Sequence, residues 1–140
     1  MSIPSTVLLR QYMDAIARCD ALAATTLFDD DAVIHTPCMP EPTPKVINGR
    51  AAYASVLEWV FAAVFKKLTW TRLEIHATDD PNLAFALATS SVELHDGRSY
   101  GNDYAVFVRV RDGKIVEDTE FFDTTRAAQA FAPPSIASGA

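Results

Sequence analysis

Apolar residues recur every three or four positions along the first half of the chain and alternate with polar ones along much of the second. Between Ser99 and Asp123 the alternation is clearest. Val106, Val108 and Val110 interleave with Phe107, Arg109 and Arg111, and a second extended run from Ile115 and Val116 ends in Phe121, Phe122 and Asp123. Asp112 and Gly113 separate the two runs, and an Asp-Gly pair suits the positive backbone angles of a tight two-residue turn. The pattern predicts a β-hairpin. Strand parity puts Tyr100, Asn102 and Tyr104 on the side of Val106, Val108 and Val110. It puts Asp118 and Glu120 on the side of Val116 and Phe122. A sheet face that is apolar at one end and polar at the other predicts a pocket.

The rest of the chain supplies the walls of that pocket. Val7, Leu8, Tyr12, Ala15, Ile16 and Cys19 predict an amphipathic helix over about residues 4–18, capped by Ser2 or Ser5 with Pro4 in its first turn. Asp20 is placed to cap a short second helix. Asp29, Asp30 and Asp31 read as a solvated turn, and Ala32 to Thr36 as a short strand. Pro37, Pro40, Pro42 and Pro44 predict a loop, because proline fixes φ and removes a donor. Tyr53, Leu57, Val60, Phe61, Val64 and Leu68 mark the stripe of a third helix beginning at Arg50. Thr69 to Ala77 alternates, with Thr71, Leu73 and Ile75 on one face and Trp70, Arg72, Glu74 and His76 on the outward one. Leu83 to His95 reads as a long strand rich in Ala and Ser, and TTRAAQAF after Asp123 as a short helix. Residues 1–131 are expected to form one domain and 132–140 a flexible tail. The order predicts an α+β fold, with helices collected on one face of a curved, mostly antiparallel sheet.

Charge and composition narrow the function. The net charge of −6 argues against a nucleic-acid partner, which would need a basic face. No run approaches the ~18 apolar residues of a membrane span. The N-terminal stretch lacks the basic start of a signal peptide, and Cys19 and Cys38 are isolated, so the expected compartment is the cytoplasm. There is no Gly-rich phosphate loop, nucleophile elbow or Cys-x-x-Cys, and the three histidines have no metal-ligand spacing. The expected chemistry uses side chains alone, with no cofactor and no metal.

Four segments resemble one family. They are LLRQYMDAIARCDALAATTLFDDDAVIHTP, NGRAAYASVLEWV, HATDDPNLAFALA and the hairpin from Tyr100 to Asp123. The chain resembles the SnoaL-like and ketosteroid-isomerase-like proteins of the nuclear-transport-factor-2-like superfamily, and its last two segments are most similar to the phenazine-biosynthesis A/B-type branch. The resemblance implies a cone-shaped (cystatin-like) fold with an internal pocket. It implies that Tyr12 donates to a substrate oxyanion and that Glu120 matches the branch's acidic residue. The isomerase's general base falls on Thr36, and the branch's helical histidine falls near Val56. The expected machinery is Glu120, with Asp118 or His35, moving a proton while Tyr12 and Asn102 stabilise the oxyanion. Tyr100, Tyr104, Thr36, Trp59 and Phe61 would contact a small apolar ligand. Two functions follow: a cofactor-independent isomerase, cyclase or dehydratase acting on a carbonyl compound, or a non-catalytic ligand-binding domain. A homodimer is expected, formed through the outward face of Trp70, Arg72, Glu74 and His76.

Overall fold

A computed structural model describes residues 3–132; Ser2 and the C-terminal tail from residue 133 lie outside the described residues. Helix α1 (Ser5–Ala17) buries Leu8, Leu9, Tyr12, Met13 and Ala15. Pro4 occupies its N-cap position and no side chain caps it. Ser5 donates instead to the carbonyl of Pro81, at 3.0 Å, which ties the helix to a distant turn. Helix α2 (Ala21–Thr25) is capped as expected, with the Asp20 carboxylate accepting from the Ala23 amide.

Strand β1 (Phe28–His35) begins earlier than the sequence suggests. Asp29, Asp30 and Asp31 therefore lie in a strand rather than a turn. A register shift against its neighbour accommodates them, and Asp30 pairs with Arg50. After the proline loop, β2 (Val46–Asn48) adds an edge strand to β1. Helix α3 (Arg50–Trp59) runs into a π-helical turn at Val60–Val64. The chain then extends at Phe65, so the helical stripe stops short of Leu68.

Strands β3 (Phe65–Ala77), β4 (Leu83–Leu94), β5 (Ser99–Tyr100), β6 (Asp103–Arg111) and β7 (Lys114–Phe122) complete a seven-stranded sheet. Its order is β2-β1-β7-β6-β4-β3, with β5 beside β4. All pairings are antiparallel except β1 with β7. The predicted turn is present: Asp112 and Gly113 have φ of 52° and 77°. Helix α4 (Thr124–Phe131) is capped by Asp123. Ala84, Ala86 and Ala88 lie buried on the concave face of β4, and their small side chains let α1 lie close against the sheet.

Two bulges overrule strict alternation. On β3 the register shifts between Trp70 and Arg72, so Thr71 is an extra residue. Trp70 consequently turns inward and its indole N–H donates to the Met13 carbonyl at 2.9 Å, while Arg72, Glu74 and His76 stay outside. Trp70 is thus removed from the outward face assigned to it. On β7 the shift falls between Arg109 and Val110 of β6, opposite Val116. Ile115, not Val116, joins Asp118 and Glu120 inside.

Candidate functional site

Asp118, Glu120 and Phe122 point from β7 toward the helices. Their cross-strand partners on β6 are Val108, Val106 and Tyr104. Opposite them, α1 presents Tyr12 and α3 presents Tyr53. Phe28 packs edge-on against both phenol rings, with centroids at 5.2 and 5.4 Å, and fixes their positions. The Tyr12 hydroxyl donates to Glu120 Oε2 at 2.7 Å, lies 3.3 Å from Asp118 Oδ2, and shares a short hydrogen bond with the Tyr53 hydroxyl.

Asp118 is fully buried, and its Oδ1 has no partner among the described residues. Burial raises its carboxyl well above the usual carboxylate range. The charge of Glu120 pushes the same way, against the donation from Tyr12. Asp118 is therefore the acid of this cluster that burial makes hold its proton more tightly than usual. Burial, then the adjacent carboxylates, holds the Tyr12 phenol far above its ordinary value, so it acts as a donor.

Two cavities meet at Glu120. The larger, of about 170 Å³, opens beneath the proline loop at Thr36 and Met39 and is walled by Phe65, Tyr100, Phe122 and Phe131. The deeper, of about 100 Å³, lies between α1, α3 and β3 and includes Tyr12, Phe61 and Trp70. Tyr53, Tyr104, Phe65 and Glu120 border both. Thr36 Oγ1 is buried at the larger cavity's wall without a hydrogen-bond partner among the described residues.

A second polar network stands behind the aromatic wall. Ser90 donates to the Tyr104 hydroxyl at 3.2 Å, and Tyr104 to the Tyr100 hydroxyl at 3.5 Å. Asn102 donates to Tyr100 at 2.7 Å and to the Asp123 carbonyl at 3.0 Å. Its oxygen accepts from the Asp103 and Asp123 amides. Every hydrogen-bonding position of Asn102 is thus engaged, and it borders neither cavity. It fastens the start of β6 to the end of β7 and orients Tyr100; it is not placed to touch an oxyanion.

Glu120, Tyr12, Asp118, Tyr100, Tyr104, Thr36 and Phe61 come together as the sequence suggests. Two other candidates do not join them. His35 lies on the convex face, with Nε2 3.3 Å from Glu117. Alternation carries it away from Thr36. Trp59 is 54% exposed and stacks on Phe131 outside both cavities, because α3 turns that flank to solvent. Tyr53 is the residue that sequence reasoning overlooked: it reads as one more member of an apolar helical stripe. Its signal was a hydroxyl in a stripe that otherwise has no polar tip. Among the described residues, no three His, Cys, Asp or Glu side chains gather as a metal site.

Comparison with known proteins agrees with this architecture. The family model of the SnoaL-like domain matches residues 9–118. A Bacillus subtilis crystal structure provisionally named an isomerase superposes with a TM-score of 0.80 at 25% identity, covering 91% of each chain. A phenazine biosynthesis-related protein from Pseudomonas aeruginosa gives 0.68 at 22% identity, covering 95% of this chain and 90% of its own. A Catenulispora acidiphila protein with a ketosteroid isomerase-like fold, in complex with trimethylamine, gives 0.70 at 16% identity, with 90% and 93% covered. The last two likenesses speak to the fold. With a curled sheet closed by helices and a family model spanning most of its length, this chain belongs to the SnoaL-like domain family.

Proposed function

We propose that the chain is an enzyme that moves a proton on a small, apolar, carbonyl-bearing molecule, in an isomerisation, cyclisation or dehydration carried by side chains alone. The observation that carries this reading is the position of Glu120: one carboxyl group at the junction of two largely apolar cavities, held by Tyr12 and backed by the buried Asp118.

The steps follow from the hydrogen bonds. Glu120 takes the proton from a carbon next to the carbonyl. The C–H electron pair moves to the carbonyl oxygen and leaves an enolate. Once neutral, Glu120 no longer needs the Tyr12 proton. Tyr12 then donates to Tyr53, and the Tyr53 O–H is released toward the oxyanion in the cavity it borders. Returning the proton from Glu120 to a different atom completes an isomerisation.

The test is exchange of ketone α-hydrogens for deuterium, followed by NMR in D2O across a panel of apolar ketones. Enzyme-dependent exchange that disappears in Glu120→Gln, in a folded variant, supports the reading. Exchange at the uncatalysed rate with every ketone defeats it.

A second reading is a non-catalytic binding domain. Thr36 and Val56 favour it, since neither supplies the base or the imidazole of the related enzymes. The trimethylamine complex of the Catenulispora neighbour also favours it. Two further proposals accompany either reading. Unpaired Cys19 and Cys38 suit the reducing cytoplasm. A second copy of the chain covers the convex sheet face, where Phe85 stacks on His76 and Phe107 at 5.0 and 5.7 Å. The chain's net charge of −6 opposes self-association, but that face balances Arg72 and Arg109 against Glu74 and Glu117.

A further inference from the structure

We infer that the ligand of the cone carries a cationic nitrogen, a tertiary or quaternary alkylammonium group seated against the aromatic walls within reach of the Glu120 charge. The inference deepens the site assigned above. It rests on that cavity being the binding site, not on turnover.

The first argument is an inventory of charge. Among the described residues that border the two cavities, Glu120 is the single charged one; no Lys, Arg or His borders either. The titratable groups facing the Asp118–Glu120 pair are phenols: Tyr12 from α1, Tyr53 from α3 and Tyr104 from β6. Phenols donate hydrogen bonds but supply no countercharge. Glu120 therefore stands half-buried at the cavity junction, met by a phenol donor and by no basic side chain among the described residues. A ligand with a carboxylate or phosphate would add a second negative charge and meet no basic partner. A cationic group, carried on the same small molecule as the carbonyl, would meet Glu120 with the opposite charge.

The second argument is the chemistry of the walls. Phe65, Tyr100, Tyr104 and Phe131 border the larger cavity, with Phe65 centred 5.6 Å from Tyr100 and 5.7 Å from Phe131. Aromatic faces carry negative quadrupole potential and attract a cation without requiring it to donate hydrogen bonds. A primary ammonium would need three acceptors. Here the Tyr104 oxygen already accepts from Ser90, and the Tyr100 oxygen from Asn102 and Tyr104. Thr36 Oγ1 is buried with no hydrogen-bond partner among the described residues. A wall of rings with few open acceptors selects an alkylated nitrogen over a primary one.

The test is a charge series at constant shape. Tetramethylammonium, neopentyl alcohol and pivalate are titrated into the full chain by calorimetry at pH 7 and matched ionic strength, with thermal shift alongside. The inference expects tetramethylammonium to bind about tenfold more tightly than the alcohol, with pivalate weakest. In Glu120→Gln the cation's advantage over the alcohol should shrink to about twofold or less. Phe65→Leu provides a second variant should the first not fold; it should weaken the cation more than the alcohol and so narrow the cation's advantage. Equal binding of cation and alcohol, binding of pivalate, no binding of the cation at tens of millimolar, or a cation preference that survives both substitutions would overturn the inference. Ketone exchange without any charge preference would remove this inference and leave the proton-transfer reading standing. A charge preference without exchange would do the reverse.

Discussion

Glu117 and Asp118 are adjacent in sequence and sit in opposite circumstances. Glu117 faces outward from β7, about half exposed, with Arg109 at 3.8 Å and His35 at 3.3 Å. Asp118 faces inward with no exposure and no cation, and its neighbours are another carboxylate and a phenol. One step along a strand exchanges a solvated ion-pair network for a buried acid whose proton is held more tightly than usual. The same contrast runs along the sheet. Its convex face pairs charges of both signs, whereas its concave face holds one sign and aromatic rings. Acidic residues are plentiful in this chain, and the pleat turns Asp118 and Glu120 inward.

The comparison breaks most visibly if the two faces respond alike to loss of charge. Glu120→Gln should lower ketone α-exchange by roughly 10²–10⁴-fold, the span of a lost general base, while Glu117→Gln stays within about twofold. Equal losses would place the chemistry elsewhere. Tyr12→Phe comes next. It strips the donor from Glu120 and leaves the Tyr53 hydroxyl with a buried vacancy, so denaturant unfolding should show a loss of about 1–3 kcal/mol. A change below about 0.5 kcal/mol would mean that the phenol network is not under load.

The inward set was partly legible beforehand. Tyr12 stood out through the family resemblance of its helix, and parity aligned Asp118, Glu120 and Phe122 without knowledge of the fold. The failures share a physical cause: alternation holds only while a strand stays regular. The bulge at Thr71 turned Trp70 into the core, and the bulge at Val116 put Ile115 in the place expected of its neighbour. His35 misled because its side-chain type suggested chemistry that its parity denied. Asn102 misled differently. It lies on the inward side that parity gives it, but its four hydrogen bonds go to the backbone and Tyr100, and the two to Asp123 exist only once β6 closes on β7. β2 escaped notice because three residues behind a proline run carry almost no periodic signal.

Smaller effects sharpen the same contrast. Asp118 binds a proton more tightly in the folded chain than in the unfolded one. Its contribution to stability is therefore complete at low pH and is lost as pH rises above the ordinary aspartate range toward its folded value. Asparagine keeps the shape and does not titrate. The difference in unfolding free energy between Asp118→Asn and wild type should thus move in favour of the asparagine as pH rises, with a slope of at most about 1.4 kcal/mol per pH unit. A difference independent of pH between 5 and 8 would mean that Asp118 ionises freely. On the convex side, Phe107→Lys should halve the mass measured by light scattering if a second copy covers that face, and leave the concave site working.

The smallest expected effect belongs to the convex ion pairs. Arg109 lies 2.9 Å from Asp80 and 3.8 Å from Glu117, but all three side chains are nearly half exposed. Water screens such pairs, and ordering a long side chain offsets much of the attraction. Arg109→Ala should therefore cost no more than about 1 kcal/mol, and that cost should fade in 1 M salt. A larger, salt-resistant loss would show that the pairs are removed from solvent in the working protein. A covered convex face would account for that, and the charges there would then be interface contacts with the same claim to structural importance as the buried phenols across the sheet.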